Sequence, residues 1–154
     1  MSGELLFALL CAAGAIAYGV FSTFRILALP AGSDEVKRIA LAIQEGAAAY
    51  LKRQYMTIGV VGVLLLIVIW FALGWLSALG FAIGAIFSGL AGFIGMHVSV
   101  RANSRTAEAA KSGVNAGLQV AFRGGAVTGL LVVGLGLLGV AGFYALLELS
   151  LIHI

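Results

Sequence analysis

Long apolar runs separated by short charged stretches set the pattern of this chain. A first run covers 4–29 and a last one covers 124–147, while 55–100 contains no Lys, Arg, Asp or Glu. About 20 apolar residues cross a bilayer as a helix, so 55–100 is too long for one span and suits two spans with a tight turn. The pattern therefore predicts an all-α integral membrane protein with four transmembrane helices, arranged as two helical hairpins in a larger bundle.

The predicted spans fall at about 4–29, 55–74, 79–100 and 124–147. The first is longer than a signal-peptide core and has no basic residue before it, which favours a retained helix. A turn is predicted near 74–78, where Trp70, Phe71 and Trp75 match the aromatic belt of a bilayer interface. An aromatic substrate box is the alternative interpretation of this cluster.

Two charged segments, 30–54 and 101–123, connect the spans. In the first, Ser33 offers a helix cap, and apolar positions recur at steps of three and four, which predicts an amphipathic helix at the membrane surface. In the second, polar residues continue the third span into water, and we expect Ser112 and Gly113 to break that helix. All nine Lys and Arg residues lie near the same ends of the spans, so both segments are predicted to be cytoplasmic and the N-terminus outside.

Composition supports a membrane protein and removes one class of partner. The chain is 62% hydrophobic and 10% charged, whereas soluble domains carry about 25% charged residues. A net charge of +3 would suggest nucleic acid in a soluble protein, but here the positive-inside bias accounts for it. We therefore expect the lipid bilayer as a partner and no nucleic acid. The expected location is the inner membrane of a prokaryotic cell.

Small residues at regular spacing predict where helices pack together. They recur every four residues along the third span, and a GxxxG pair opens the fourth. Small side chains let two helices approach closely in a membrane. A substrate path along the third span is the minor alternative. The predicted helix-packing residues are Gly80, Gly84, Ser88, Gly92, Gly125 and Gly129.

Chemically active groups are sparse. The six carboxylates are dispersed, whereas hydrolysis of a phosphate compound with magnesium needs several of them close together. His97 fits an interfacial histidine, with a proton relay or a metal ligand as the alternative. Glu45 fits a solvated partner of neighbouring basic residues, with a metal or substrate ligand as the alternative. No catalytic, cofactor-binding or metal-binding residue is predicted in this chain.

Two stretches carry a family resemblance. AIQEGAAAYLKRQY at 42–55 leads into the second span, and GFIGMHVSVRANSRTAEAA at 92–110 is followed by AFRGGAVTG at 121–129. The patterns EGAxAYLxRQY and MxxxVxANxRTAxAA are the specific parts. With these stretches in order and spacing, the chain resembles the N-terminal region of the membrane-bound pyrophosphatases, which are ion pumps driven by pyrophosphate hydrolysis.

The resemblance implies a fold of two concentric rings of transmembrane helices, in which the first four helices belong to the outer ring. It also implies a magnesium cofactor, a pyrophosphate substrate and a homodimer at full length. In that family the substrate is bound by motifs on later, inner-ring helices, and this chain contains none of them. No catalytic, metal or gate residue is therefore carried over, and the choice between proton and sodium and the potassium dependence stay open.

Two interpretations of the function follow. The first is the outer-ring part of a pyrophosphate-energised pump, inactive by itself and completed by missing C-terminal helices. The second is a self-contained four-helix membrane transporter or assembly subunit. The ending LSLIHI has no charged tail, which is typical of a cut chain, and continuation of the reading frame past Glu148 would separate the two interpretations.

Overall fold

Four long helices make up the computed structural model, which describes residues 3–152 and the side chains of 3–148. They are α1 (Gly3–Leu27), α2 (Asp34–Leu73), α3 (Trp75–Ala110) and α4 (Val114–Ile152). All four are long and apolar enough to cross a membrane. The prediction of an all-α membrane protein with four spanning helices is confirmed. The side chains of the ending LSLIHI lie outside the described residues.

Glycine residues at positive φ make the sharp reversals between helices. Gly74 (φ 88°) is the single residue between α2 and α3, and Gly113 (φ 128°) directly precedes α4. These φ values suit glycine because it has no Cβ to clash with the backbone. The turn predicted over 74–78 is thus completed at Gly74, and the helix break predicted at Ser112 and Gly113 lies between α3 and α4.

The amphipathic segment before the second span is part of α2 and packs against α3. Gln44, Ala47 and Leu51 line a small cavity together with Met96 and Arg101 of α3. The whole helix has 40 residues, which is about 60 Å at 1.5 Å per residue and twice the hydrocarbon thickness of about 30 Å. This part of α2 is therefore continuous with the second span, and its position at the membrane surface stays a prediction.

The helices lie side by side in the order α2, α3, α4, α1. Within the described residues α4 packs against α3 and α1, whereas α2 packs against α3 alone. One buried cluster joins α1, α3 and α4 at Ile26, Val98 and Val127. A second joins the other end of α1 to α4, where Leu5 meets Ala141. The helix order follows from these contacts, and it leaves α2 at one edge.

Two polar side chains of α3 lie against the end of α1 and the α1–α2 connection. The guanidinium of Arg105 donates a hydrogen bond of 2.8 Å to the carbonyl of Leu27 at the end of α1. Glu108 pairs with Lys111 at 2.6 Å, and its carboxylate lies 2.9 Å from the position that a Cβ on Gly32 would take. The connection therefore rests on α3, although α1 and α2 do not contact each other within the described helices.

Basic residues at the ends of the spans lie at one level across the four helices. Ile26 and Ala102 share a buried cluster, a Cβ on Gly124 would lie 3.2 Å from Ala102, and Leu51 lines a cavity with Arg101. From Gly74 to Arg101 the rise along α3 is about 40 Å, close to the thickness of a bilayer with its headgroups, about 40–45 Å. The basic residues at these contact positions, or within two residues of them in the sequence, form what we call the basic layer: Arg25, Lys52, Arg53, Arg101 and Arg123.

Candidate helix-packing site

Two glycines lie where α1 and α4 pack closely together. A Cβ built on Gly134 would lie 2.9 Å from Cγ1 of Ile16 and 3.2 Å from the carbonyl oxygen of Ala12. A Cβ built on Gly19 would lie 3.1 Å from the side chain of Leu131. Neither glycine belongs to the predicted packing set. For Gly19 the signal that could have found it is Ala15, a small residue four positions earlier, and for Gly134 it is the run of glycines at 134, 136 and 139, which makes the middle of the fourth span thin.

Glycines also set the contact between α3 and α4. A Cβ on Gly95 would lie 2.7 Å from Cγ2 of Thr128, and one on Gly139 would lie 3.2 Å from the ring of Phe87. Because real Cβ atoms do not approach neighbouring atoms this closely, any larger residue at Gly95 requires the Thr128 side chain or the helix backbones to shift.

The six predicted packing residues fall in different surroundings. A Cβ on Gly80 would lie 3.1 Å from the ring of Phe143 on α4. One on Gly92 would lie 2.8 Å from the hydroxyl of Tyr55 on α2. The other four do not contact a neighbouring helix in this way: Gly84, Gly125 and Gly129 would place a Cβ with no heavy atom of the described chain within 4 Å, and Ser88 is exposed.

Between α3 and α4 lies an open cleft of about 570 Å³, which we call the α3–α4 groove. Gly80, Gly84 and Ser88 line it on α3, and Gly136 and Gly139 line it on α4. At these small residues the walls are thin, so the backbone of a further helix can come close to both helices there. Whether Gly84, Ser88, Gly125 and Gly129 pack against such a helix stays a prediction.

The polar groups do not form a metal site within the described residues. Asp34 pairs with Lys37 at 3.1 Å, and Glu108 pairs with Lys111. The part of the chain with described side chains contains no group of three or more His, Cys, Asp or Glu residues that could share a metal ion. Magnesium requires oxygen ligands in near-octahedral arrangement, and this donor set does not fit it.

His97 is held against the aromatic side chains at the end of the α2–α3 contact. Its Nδ1 lies 3.0 Å from the carbonyl oxygen of Phe93, and its ring lies 4.2 Å from the Phe93 ring, centroid to centroid. Tyr55 meets Phe93 edge to face at 6.2 Å and donates a hydrogen bond of 2.7 Å to the carbonyl of Gly89. These contacts give His97 a packing role where the membrane span ends.

Comparison with known proteins identifies the family. A family model described as inorganic H+ pyrophosphatase matches residues 13–153. The chain belongs to this family. The resemblance drawn from 42–55, 92–110 and 121–129 is confirmed, and the chain is part of a multi-pass membrane protein family whose curated relatives are named as ion pumps.

Individual relatives show how much of such a protein this chain represents. A K(+)-insensitive pyrophosphate-energized proton pump of Methanosarcina mazei is 52% identical over 133 residues, which cover 85% of this chain and 20% of that protein. A K(+)-insensitive pyrophosphate-energized proton pump 2 of Moorella thermoacetica is 45% identical over 146 residues, covering 91% and 21%. A candidate K(+)-stimulated pyrophosphate-energized sodium pump of Bacteroides thetaiotaomicron is 45% identical over 125 residues, covering 76% and 17%. The chain spans about a fifth of the length of these relatives.

Proposed function

We propose that this chain forms the N-terminal, outer-ring transmembrane part of a pyrophosphate-energised proton or sodium pump, which couples diphosphate hydrolysis to ion translocation. The observation that carries this proposal is the family match over 13–153, together with 52% identity to a proton pump. In the proposal, magnesium and pyrophosphate are bound by helices outside this chain. The complete protein is a homodimer in the membrane.

The experiment that tests this function uses the protein at its full encoded length. Purified protein in sealed vesicles should release phosphate from pyrophosphate when magnesium is added. At the same time it should either acidify the vesicle interior or fill it with sodium. Proton-sensitive dye and sodium-sensitive dye distinguish the two ions. Failure to hydrolyse pyrophosphate under any of these conditions would contradict the proposal.

Within the pump, we assign this chain a packing role. The α3–α4 groove is open along Gly84 and Gly136, and both helices are thin there. A helix from the rest of the protein fits this groove because small residues allow close backbone approach. The proposed packing residues remain Gly80, Gly84, Ser88, Gly92, Gly125 and Gly129.

Leucine at Gly84 is expected to destabilise the full-length protein by about 1–3 kcal/mol, the usual cost of overpacking. Within the described chain a Cβ on Gly84 would meet no neighbouring side chain or helix within 4 Å. A loss of stability would therefore indicate that Gly84 contacts a helix outside this chain. Leucine at Gly92 is also expected to destabilise the full-length protein, since it displaces the Tyr55 hydroxyl. Thermal unfolding in detergent measures both.

Gly46→Leu is the matched control for Gly84→Leu. Its Cβ also has no heavy atom of the described chain within 4 Å, but Gly46 lies in the part of α2 beyond the basic layer. Unchanged thermal stability of Gly84→Leu would mean that the groove faces lipid.

We propose that the basic layer marks the cytoplasmic boundary of the membrane, with the N-terminus outside and the α3–α4 turn inside a prokaryotic cell. The support is that all nine Lys and Arg residues lie at the same ends of the spans, which orients membrane proteins with that side inward. Reporter fusions at Ser77 and at Ser112 should show Ser77 outside and Ser112 inside. External accessibility of Ser112 would reverse this topology.

A further inference from the structure

A second open cleft of about 570 Å³ runs between α2 and α3, and we call it the α2–α3 seam. Bulky apolar side chains form most of its walls, and glycines of α2 give it depth. Gly89 of α3 also lines it. Besides Tyr55, the bulky lining residues are Ile58, Val63, Leu66, Phe81, Ile86, Leu90 and Phe93.

The seam is as long as one leaflet of a bilayer. It extends from Tyr55 to Leu66, which is about 16 Å along α2 at 1.5 Å per residue, and half of the hydrocarbon core is about 15 Å. At its far end Leu66 and Ala82 also line a separate cleft beside Trp70. The seam therefore offers an apolar surface long enough for one acyl chain.

At the end of the seam near the basic layer, the hydroxyl of Tyr55 already has a hydrogen-bond partner within the protein. There the Tyr55 hydroxyl is engaged by the carbonyl of Gly89 at 2.7 Å, and the ring of Phe93 packs edge to face against Tyr55. No unsatisfied hydrogen-bonding group of Tyr55 therefore points into the cleft, which suits a saturated hydrocarbon chain.

Positive charge begins directly beyond Tyr55. Lys52 precedes Gly59 by seven residues, two helical turns, so it lies on the side of α2 that lines the seam. Arg101 lies eight residues beyond Phe93 on α3, about 80° around the helix axis, and donates one hydrogen bond of 3.1 Å to the carbonyl of His97. Within the described residues neither cation has a carboxylate partner, so both are available to an anion at this level.

We propose that the α2–α3 seam binds an anionic phospholipid of the surrounding bilayer. One acyl chain lies along the seam, and the phosphate lies between the side chains of Lys52 and Arg101. The apolar lining, together with two cations at the polar end that have no carboxylate partner in the described part of the chain, selects this ligand. Arg53 has the same charge at the same level but lies about 160° from Tyr55 around α2, on the opposite face.

Native mass spectrometry of the full-length protein tests the charged end. The probes are phosphatidylglycerol and phosphatidylcholine with identical acyl chains, added to delipidated protein. The protein should retain phosphatidylglycerol preferentially, and Lys52→Gln should weaken that retention about fivefold, the usual effect of one cation at an anionic surface. Arg53→Gln is the matched control and should leave it unchanged. Equal retention of the two lipids, or equal loss in both variants, would overturn the proposal.

Gly62→Leu tests the apolar end. A Cβ on Gly62 has no heavy atom of the described chain within 4 Å, so leucine fills the seam without disturbing α2 or α3. The variant should lose bound phosphatidylglycerol while keeping its thermal stability in lipid-free detergent. A fall in thermal stability with lipid retention unchanged would show that a protein helix occupies the seam, and the proposal would be wrong.

Discussion

Vesicles that contain only this 154-residue chain are expected to release no more phosphate from magnesium pyrophosphate than empty vesicles do. Magnesium-assisted hydrolysis of a phosphoanhydride requires clustered acidic ligands that hold the metal ions against the substrate oxygens. Two of the six carboxylates, Asp34 and Glu108, are paired with lysines, and the described side chains form no group that could hold a metal ion. The basic layer can attract pyrophosphate, but attraction alone does not stabilise the transition state.

Ion uptake by the same vesicles should also be absent. Moving an ion through the bilayer requires ionisable groups inside the membrane, and the apolar run from 55 to 100 and that from 124 to 147 contain no Lys, Arg, Asp or Glu. The full-length protein in matched vesicles is the positive control. Phosphate release by the chain alone, persisting after removal of contaminating host enzyme, would mean that these helices contain a hydrolytic site.

Substitution of Gly134 is expected to cause the largest loss of stability among the glycines between α1 and α4. A Cβ there would lie 2.9 Å from Cγ1 of Ile16 and 3.2 Å from the backbone carbonyl of Ala12. A backbone atom cannot move aside as a side chain can, so the helices must separate and lose their packing contacts. Alanine should cost about 1–3 kcal/mol, and leucine should cost more.

Gly136→Ala is the matched control on the same helix. Its Cβ would meet no heavy atom of the described chain within 4 Å, and alanine favours a helix over glycine by up to about 1 kcal/mol. Thermal unfolding of the full-length protein in detergent should therefore show a lower midpoint for Gly134→Ala and an equal or higher one for Gly136→Ala. Equal midpoints for both variants would contradict the close approach of α1 and α4.

The position of the helices was readable from the sequence because the bilayer imposes a simple rule. A spanning helix needs about 20 apolar residues, so the charge-free run from 55 to 100 required two spans and a turn between them. The predicted turn near 74–78 and the predicted break at Ser112 and Gly113 each contain a glycine, and in the structure Gly74 and Gly113 have a positive φ. The motifs at 42–55 and 92–110 identified the family, since a motif depends on residue order alone.

The partner of each small residue depended on tertiary structure. Residues four apart on a helix are about 40° apart around its axis, so a stripe with strict steps of four winds around α3. Gly80 at one end of the stripe therefore meets Phe143 of α4, while Gly92 at the other end meets Tyr55 of α2. The tightest α1–α4 contact, at Gly134, depends on the relative register of two helices far apart in sequence. Sequence alone thus determined that these helices span the membrane and which family they belong to, whereas helix register and axial rotation decided which residues touch.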